Sequence, residues 1–281
     1  MKLSAGFAWI GIALAVAASP PGARAETRYV SLAGLHVAPF TNWTEAATNF
    51  QDAIAACAPG DVVVASNGTY ALTATVRITN GVTLVSAAGR DATQLDAGAL
   101  PAGQDAVFLQ FGTLDGFTVS NAPRNGVKSE FGAVANCLVT HSRGHGIDSY
   151  TTPRIVSNST LVVSNTLVQK SATTGIFTCA VDTRIVGCTI AQSGGTGIAL
   201  QQNDTVGVKQ VPRASNFLVR ASAISSNLNS GILLTFQNYD AALPSVPVLV
   251  DDCRIEDNAG RYGAGISDGA GTAYWSSGVR I

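Results

Sequence analysis

Val134-Ala135-Asn136-Cys137-Leu138-Val139-Thr140-His141-Ser142-Arg143-Gly144-His145-Gly146-Ile147 sets one spacing: an apolar residue, a second site three on, an apolar residue two further, then glycine and Val or Ile seven later. Working outward, the same spacing returns at Leu114/Phe117/Val119/Gly126/Val127, Val163/Thr166/Val168/Gly175/Ile176, Ile185/Cys188/Ile190/Gly197/Ile198, Val219/Ser222/Ile224/Gly231/Ile232 and Val250/Cys253/Ile255/Gly265/Ile266. Only the last copy slips, by three residues before its glycine. Self-similarity at a period of a few tens of residues marks a solenoid, whose coils cannot bury their apolar face until a neighbour stacks on them.

The residues between the anchors alternate, as in Cys137-Leu138-Val139, and are rich in Val, Ile and Thr, which is strand periodicity. Just before the second anchor stands Gly116, Asn136, Asn165, Gly187, Ala221 or Asp252. All but Ala221 tolerate a left-handed backbone, so a sharp turn fits that slot. Equivalent strands of successive coils then lie parallel, about 4.8 Å apart. The expected fold is all-β, a parallel β-helix solenoid.

Asn136-Cys137-Leu138-Val139 with Gly146-Ile147, and the later copies, resemble the right-handed parallel β-helix repeat of pectin-lyase-like proteins. The stretch 61–96, with Asn67-Gly68-Thr69-Tyr70 and Asn80-Gly81-Val82-Thr83-Leu84, is similar to the opening coils of secreted bacterial members. The likeness runs from about Tyr29 onward. It implies a right-handed coil and leaves the chemistry open, because lyases, hydrolases, epimerases and binding proteins share these coils.

Residues 1–25 read as an export signal: Lys2, an apolar run over 5–18, then Ala23-Arg24-Ala25 as a small-residue cleavage site. That run is shorter than the roughly twenty residues that span a bilayer. The expectation is a secreted chain, periplasmic, extracellular or surface-bound, with no membrane span. A net charge of −1 and 12% charged residues leave no basic face for nucleic acid. Cys137, Cys188 and Cys253 share one slot, with Thr166 and Ser222 between them. Two coil steps are about 9.5 Å, too far for a disulfide, so they read as small core residues.

Residues 26–60 are expected to form a first strand, near 29–32, and a capping α-helix that starts at Asn42 with Glu45 three residues on. Trp43, Ala46, Ala47, Phe50, Ile54 and Cys57 fall on one helical face, which would cover the open first coil. Coils occupy 61–281. Three carry insertions at one corner, 151–160, 202–216 and 238–247, which are expected to project as a wall with a gap at the coil of Ile176. The terminal Gly278-Val279-Arg280-Ile281 reads as the start of another strand rather than a polar cap, as in a chain cut short.

Alternation points the residues after each inward Val or Ile outward: Lys128 and Glu130, Asp148 and Tyr150, Phe177, Ala199 and Gln201, Leu233 and Thr235. Polar groups beside aromatic rings suit a sugar groove. In a lyase for acidic polysaccharide, Lys128 or Arg143 would neutralise a uronate while Lys128 or Tyr150 takes the neighbouring proton. Glu130 and Asp148 fit a hydrolase pair. Phe177 and Gln201 would bind substrate. The simpler reading of Lys128 and Asp148 is an exposed ion pair worth at most about 1 kcal/mol.

Gly144-His145-Gly146 and Asp251-Asp252 resemble polygalacturonase motifs, but stand in the reverse order, and His145 fills a variable slot of the repeat. His141 and Arg143 read as turn residues. The acids Asp251, Asp252, Glu256 and Asp257 would suit calcium, but Asp252 already fills the tight-turn slot, so a solvated acidic edge is the better reading. No zinc spacing, phosphate loop or cofactor fingerprint is present. The expected function is polysaccharide binding by a secreted β-helix, with lyase or hydrolase activity undecided. The alternative is a non-catalytic surface or adhesion module.

Overall fold

A computed structural model describes residues 25–149, 160–180, 182–201, 203–206, 209–212, 216–235, 248–260, 265–268 and 279–280. The expected export signal, Tyr150 and most of the three corner insertions lie outside these residues. Of the insertions, the 202–216 segment shows an antiparallel pair, Asn203–Val206 with Lys209–Pro212. Among the described residues no helix is long and apolar enough to cross a membrane.

The strands stack in parallel register into three faces. Strand Val127–Ala135 shows how two of them join: its first half pairs with Val107–Asp115 and Ile147–Asp148, its second with Thr160–Ser164. It bends at Gly132, where φ is +154° and an added Cβ would lie 2.4 Å from the Gly112 carbonyl oxygen. The first face therefore runs Val76–Ile78, 107–109, 127–129, Ile147–Asp148, Ile176–Thr178, Ile198–Gln201, Ile232–Thr235 and Ile266–Asp268. The second carries the first anchor of each repeat. The third, from Gly68–Ala71 to Arg254–Glu256, is the eight-stranded sheet that carries the second apolar anchor.

Register makes the anchors into columns. Val127, Ile147, Ile176, Ile198 and Ile232 are fully buried on the first face, as are Leu114, Val134, Val163, Ile185 and Val219 on the second. Val119, Val139, Val168, Ile190 and Ile224 close the third side. Burying each such side chain contributes roughly 1.5–3 kcal/mol.

Both corners flanking the third face are left-handed in every repeat. The expected slot has φ from +46° at Asn165 to +78° at Gly116, and Ala221 adopts +48° despite its Cβ. The opposite corner, unmarked by glycine, does the same at Asn121, His141, Lys170, Gln192, Ser226 and Asp257. Side chains stitch the first corner: Asn136 donates to Asp115 at 2.7 Å, and the Arg90 guanidinium donates to the Cys137 and Asn165 carbonyls at 2.9 and 3.1 Å. Such bonds offset the roughly 1–2 kcal/mol that a non-glycine residue loses in this conformation.

The repeat glycines answer a different need. At Gly146 a Cβ would sit 2.4 Å from Val168 Cγ1, 2.7 Å from the Gly175 carbonyl oxygen and 2.7 Å from Ser171 Oγ, and Gly126, Gly175, Gly197 and Gly231 are similarly crowded. The polar neighbours belong to a buried column, Ser142, Ser171, Ser193, Asn227 and Asn258. Its two asparagines link coils, with Asn227 Nδ2 donating to Asn258 Oδ1 at 2.8 Å. None of the five cysteines is in a disulfide; Cys137 is fully buried, and desolvation pushes its thiol up to about 12.

The N-terminal end departs from expectation. The first strand is Thr27–Val30, and the helix is only Phe50–Ala55, capped by Asn49 accepting from the Asp52 amide. Asn42 does accept from the Glu45 amide at 2.9 Å, but no helix follows. The carbonyls of Thr44, Glu45 and Ala46 accept from Leu35, Val37 and His36, while Ala47 exchanges bonds with Tyr29 and Ser31. Those groups are spoken for before an i to i−4 ladder can form. Trp43 is accordingly half-exposed, against Tyr29. The short helix still covers the open coil: Phe50 packs on Tyr70 and Phe117, and Gln51 bonds the backbone of Arg77 on the edge strand.

Candidate functional site

Register on the first face sets Arg77 beside Phe108, Phe108 beside Lys128, Lys128 beside Asp148, and Asp148 beside Phe177. Five outward positions therefore form one row along the solenoid axis, spanning about 19 Å at roughly 4.8 Å per strand. Arg77 lies over the Phe108 ring, 5.0 Å from its centroid. Lys128 Nζ donates to Asp148 Oδ2 at 2.9 Å, and Asn125 Nδ2 donates to the same oxygen at 3.0 Å.

This pair is not the exposed one expected. The Lys128 side chain is 13% exposed and that of Asp148 only 6%, so the charges are largely desolvated and hold each other. Lys128 therefore acts as a donor within the cluster, with Asp148 Oδ2 as its acceptor.

Around the pair the corner 121–126 and its neighbours build a polar support. Asn125 Oδ1 accepts from the His145 amide at 2.9 Å, and the Asn125 amide donates to Asp105 Oδ1 at 3.2 Å. Asp105 faces Arg124 at 3.8 Å, and burial pushes its carboxyl up against the lowering pull of the Asn125 amide. The His145 ring stacks on Phe177 with centroids 5.0 Å apart and planes 13° apart, its Nδ1 within 3.0 Å of Thr173 Oγ1. Burial lowers the His145 imidazole below its ordinary value, and Asp148 pulls the other way.

The other expected site residues scatter. Glu130 stands two residues beyond Lys128, so it is offset from Asp148, and it accepts from Gln110 Nε2 at 3.0 Å. Beside it Phe131 stacks on the exposed Phe111, 4.4 Å apart and nearly parallel. Gln201 ends the strand Ile198–Gln201 opposite Thr235, away from the charged pair. Arg143 lies on the corner before Ile147, in a hollow with His141. Tyr150 is outside the described residues.

His145, set aside in the sequence as a variable slot, is thus part of the cluster, as are Asn125 and Asp105. Arg77 and Phe108 carry no such mark in the sequence, because Thr75-Val76 and Ala106-Val107 stand where a glycine opens the first-face strand elsewhere. The alternation over Val107-Phe108-Leu109 was the available signal. As for metals, Asp251 pairs with Arg220 at 3.1 Å and Glu256 with Arg254 at 2.7 Å, on different faces. Among the described residues no group of three His, Cys, Asp or Glu could hold an ion.

Residues 107–277 match the family described as "Right handed beta helix region". The chain belongs to the right-handed β-helix family. Among solved structures, this β-helix protein is similar to pectate lyase Pel9A, with a TM-score of 0.51 and 14% identity over 87% of this chain and 80% of that one. A rhamnogalacturonan lyase superposes with a TM-score of 0.46 and 13% identity, over 91% of this chain and 90% of that one. At 14% identity the likeness to Pel9A speaks for the fold alone. No curated protein matches the sequence.

Proposed function

We propose that this β-helix protein binds acidic polysaccharide along its first face, as an exported chain. The observation that carries this reading is the row Arg77, Phe108, Lys128, Asp148 and Phe177, in which two rings flank the Lys128–Asp148 pair and Arg77 stands at one end. Rings offer flat apolar surface to sugars, and the exposed Arg77 guanidinium adds a charged donor beside them. The similarity to a pectate lyase fold is consistent with a polymer as ligand. Binding is favoured over turnover, because Lys128 is engaged by Asp148 and Glu130 by Gln110. A non-catalytic surface module is thus the closest neighbour of this reading.

The test is calorimetric titration of the purified protein with neutral and uronate polysaccharides, alongside absorbance of unsaturated product and reducing ends. Uronate polymers should bind, and Phe177→Ala should weaken them by roughly tenfold or more, as expected for a central aromatic contact. Silence across the panel, or unchanged affinity in Phe177→Ala, rejects the face. Product formation would move the protein among the lyases or hydrolases.

A further inference from the structure

The connection from the third face back to the first is six residues long at 121–126 and 141–146, but ten residues long at 97–106. Its surplus forms one wall, through Gly98, Leu100 and Ala102, of a hollow of about 360 Å³ whose other side is Asn121, Pro123, His141 and Arg143. That volume is within the roughly 300–1,000 Å³ usual for small-molecule sites.

The polar groups of the hollow are unequally engaged. Asn121 Nδ2 donates to Asp96 Oδ1 at 2.9 Å, and the Gly98 amide donates to the same oxygen at 3.1 Å. His141 Nδ1 lies 2.9 Å from Thr140 Oγ1. The Arg143 guanidinium, by contrast, makes no hydrogen bond or ion pair among the described residues. A planar fork of donors beside Leu100, Pro123 and Ala102 is complementary to a carboxylate on a compact saturated ring, which it can hold by two parallel bonds.

We infer that this hollow is a second carbohydrate site, which takes the carboxylate of a uronic acid on Arg143 and the sugar ring against Pro123 and Ala102. It rests on the polysaccharide reading for the source of its ligand, and it adds a position off the first face. The corner bearing Arg143 runs directly into Ile147–Asp148, the strand that carries Asp148 of the row.

The experiment is calorimetric titration of the whole protein with galacturonate, glucose, inorganic sulfate and a polyuronate, repeated with Arg143→Gln and with Phe177→Ala. Arg143 is exposed, so its variant should unfold in urea like the parent. Galacturonate should bind the parent and Phe177→Ala equally, bind Arg143→Gln at least tenfold more weakly, and outcompete sulfate; glucose should not bind. Galacturonate binding that survives Arg143→Gln, absence of any monomer binding, or sulfate binding as tightly as the sugar overturns the site. Polyuronate binding that depends on Phe177 while the monomer stays silent rejects this hollow and keeps the first face. Monomer binding through Arg143 without polymer binding does the reverse.

Discussion

Replacing Gly175 by alanine puts one methyl where three neighbours already stand. The new Cβ would lie 2.5 Å from Ile190 Cγ2, 2.6 Å from the Gly197 carbonyl oxygen and 3.0 Å from Ser193 Oγ. The first is a rigid branched side chain in a fully buried column, the second the backbone of the next coil, so neither can turn aside. Overpacking of this kind costs about 1–3 kcal/mol, and a clash with backbone belongs at the upper end. Lower entropy of the unfolded chain offsets roughly 0.4–1 kcal/mol of it. The net expectation is a loss of about 2 kcal/mol, or roughly a thirtyfold fall in the folding equilibrium constant. Gly265 occupies the same slot in the last repeat, but nothing among the described residues lies within 4 Å of its Cβ position. Gly265→Ala should therefore be neutral or slightly stabilising. Urea unfolding followed by circular dichroism measures both. Equal midpoints for the two variants would refute the claim that close approach between coils is what demands glycine.

Lys128→Met should destabilise by about 3 kcal/mol, since it strands a buried carboxylate; if its effect simply adds to that of Asp148→Asn in a double variant, the pair is not coupled. For His145, burial sets the folded imidazole below its ordinary value, so the unfolded chain takes up the proton first as pH falls. The stability from neutral His145 is complete above about pH 6.5, the unfolded value, and is lost as pH falls through the folded one. Urea midpoints between pH 7.5 and 5 should therefore decline less in His145→Gln than in the parent; parallel curves would remove His145 as the cause.

What the sequence determined by itself was whatever repeats. Anchors such as Val139, Val168 and Ile190 recur at fixed spacing because every coil meets the same neighbours, so a periodic environment leaves a periodic trace. The glycine slot was legible too, though its reason, a Cβ pressed against the next coil, appears only once the coils are stacked. The second left-handed corner left no mark, because asparagine, histidine, lysine, glutamine, serine and aspartate all fill it. The capping helix was misplaced by local signals at Asn42 and Glu45, since the backbone groups beside them bond to strands far away in the fold. Site residues are the non-repeating part. That Lys128 and Asp148 sit one coil apart could be read from register, but their burial, the support from Asn125, the His145 ring on Phe177 and the removal of Arg143 to its own hollow depend on how side chains of different corners pack. Spacing along a chain encodes which positions align, whereas only the packed coil decides how much water each position keeps.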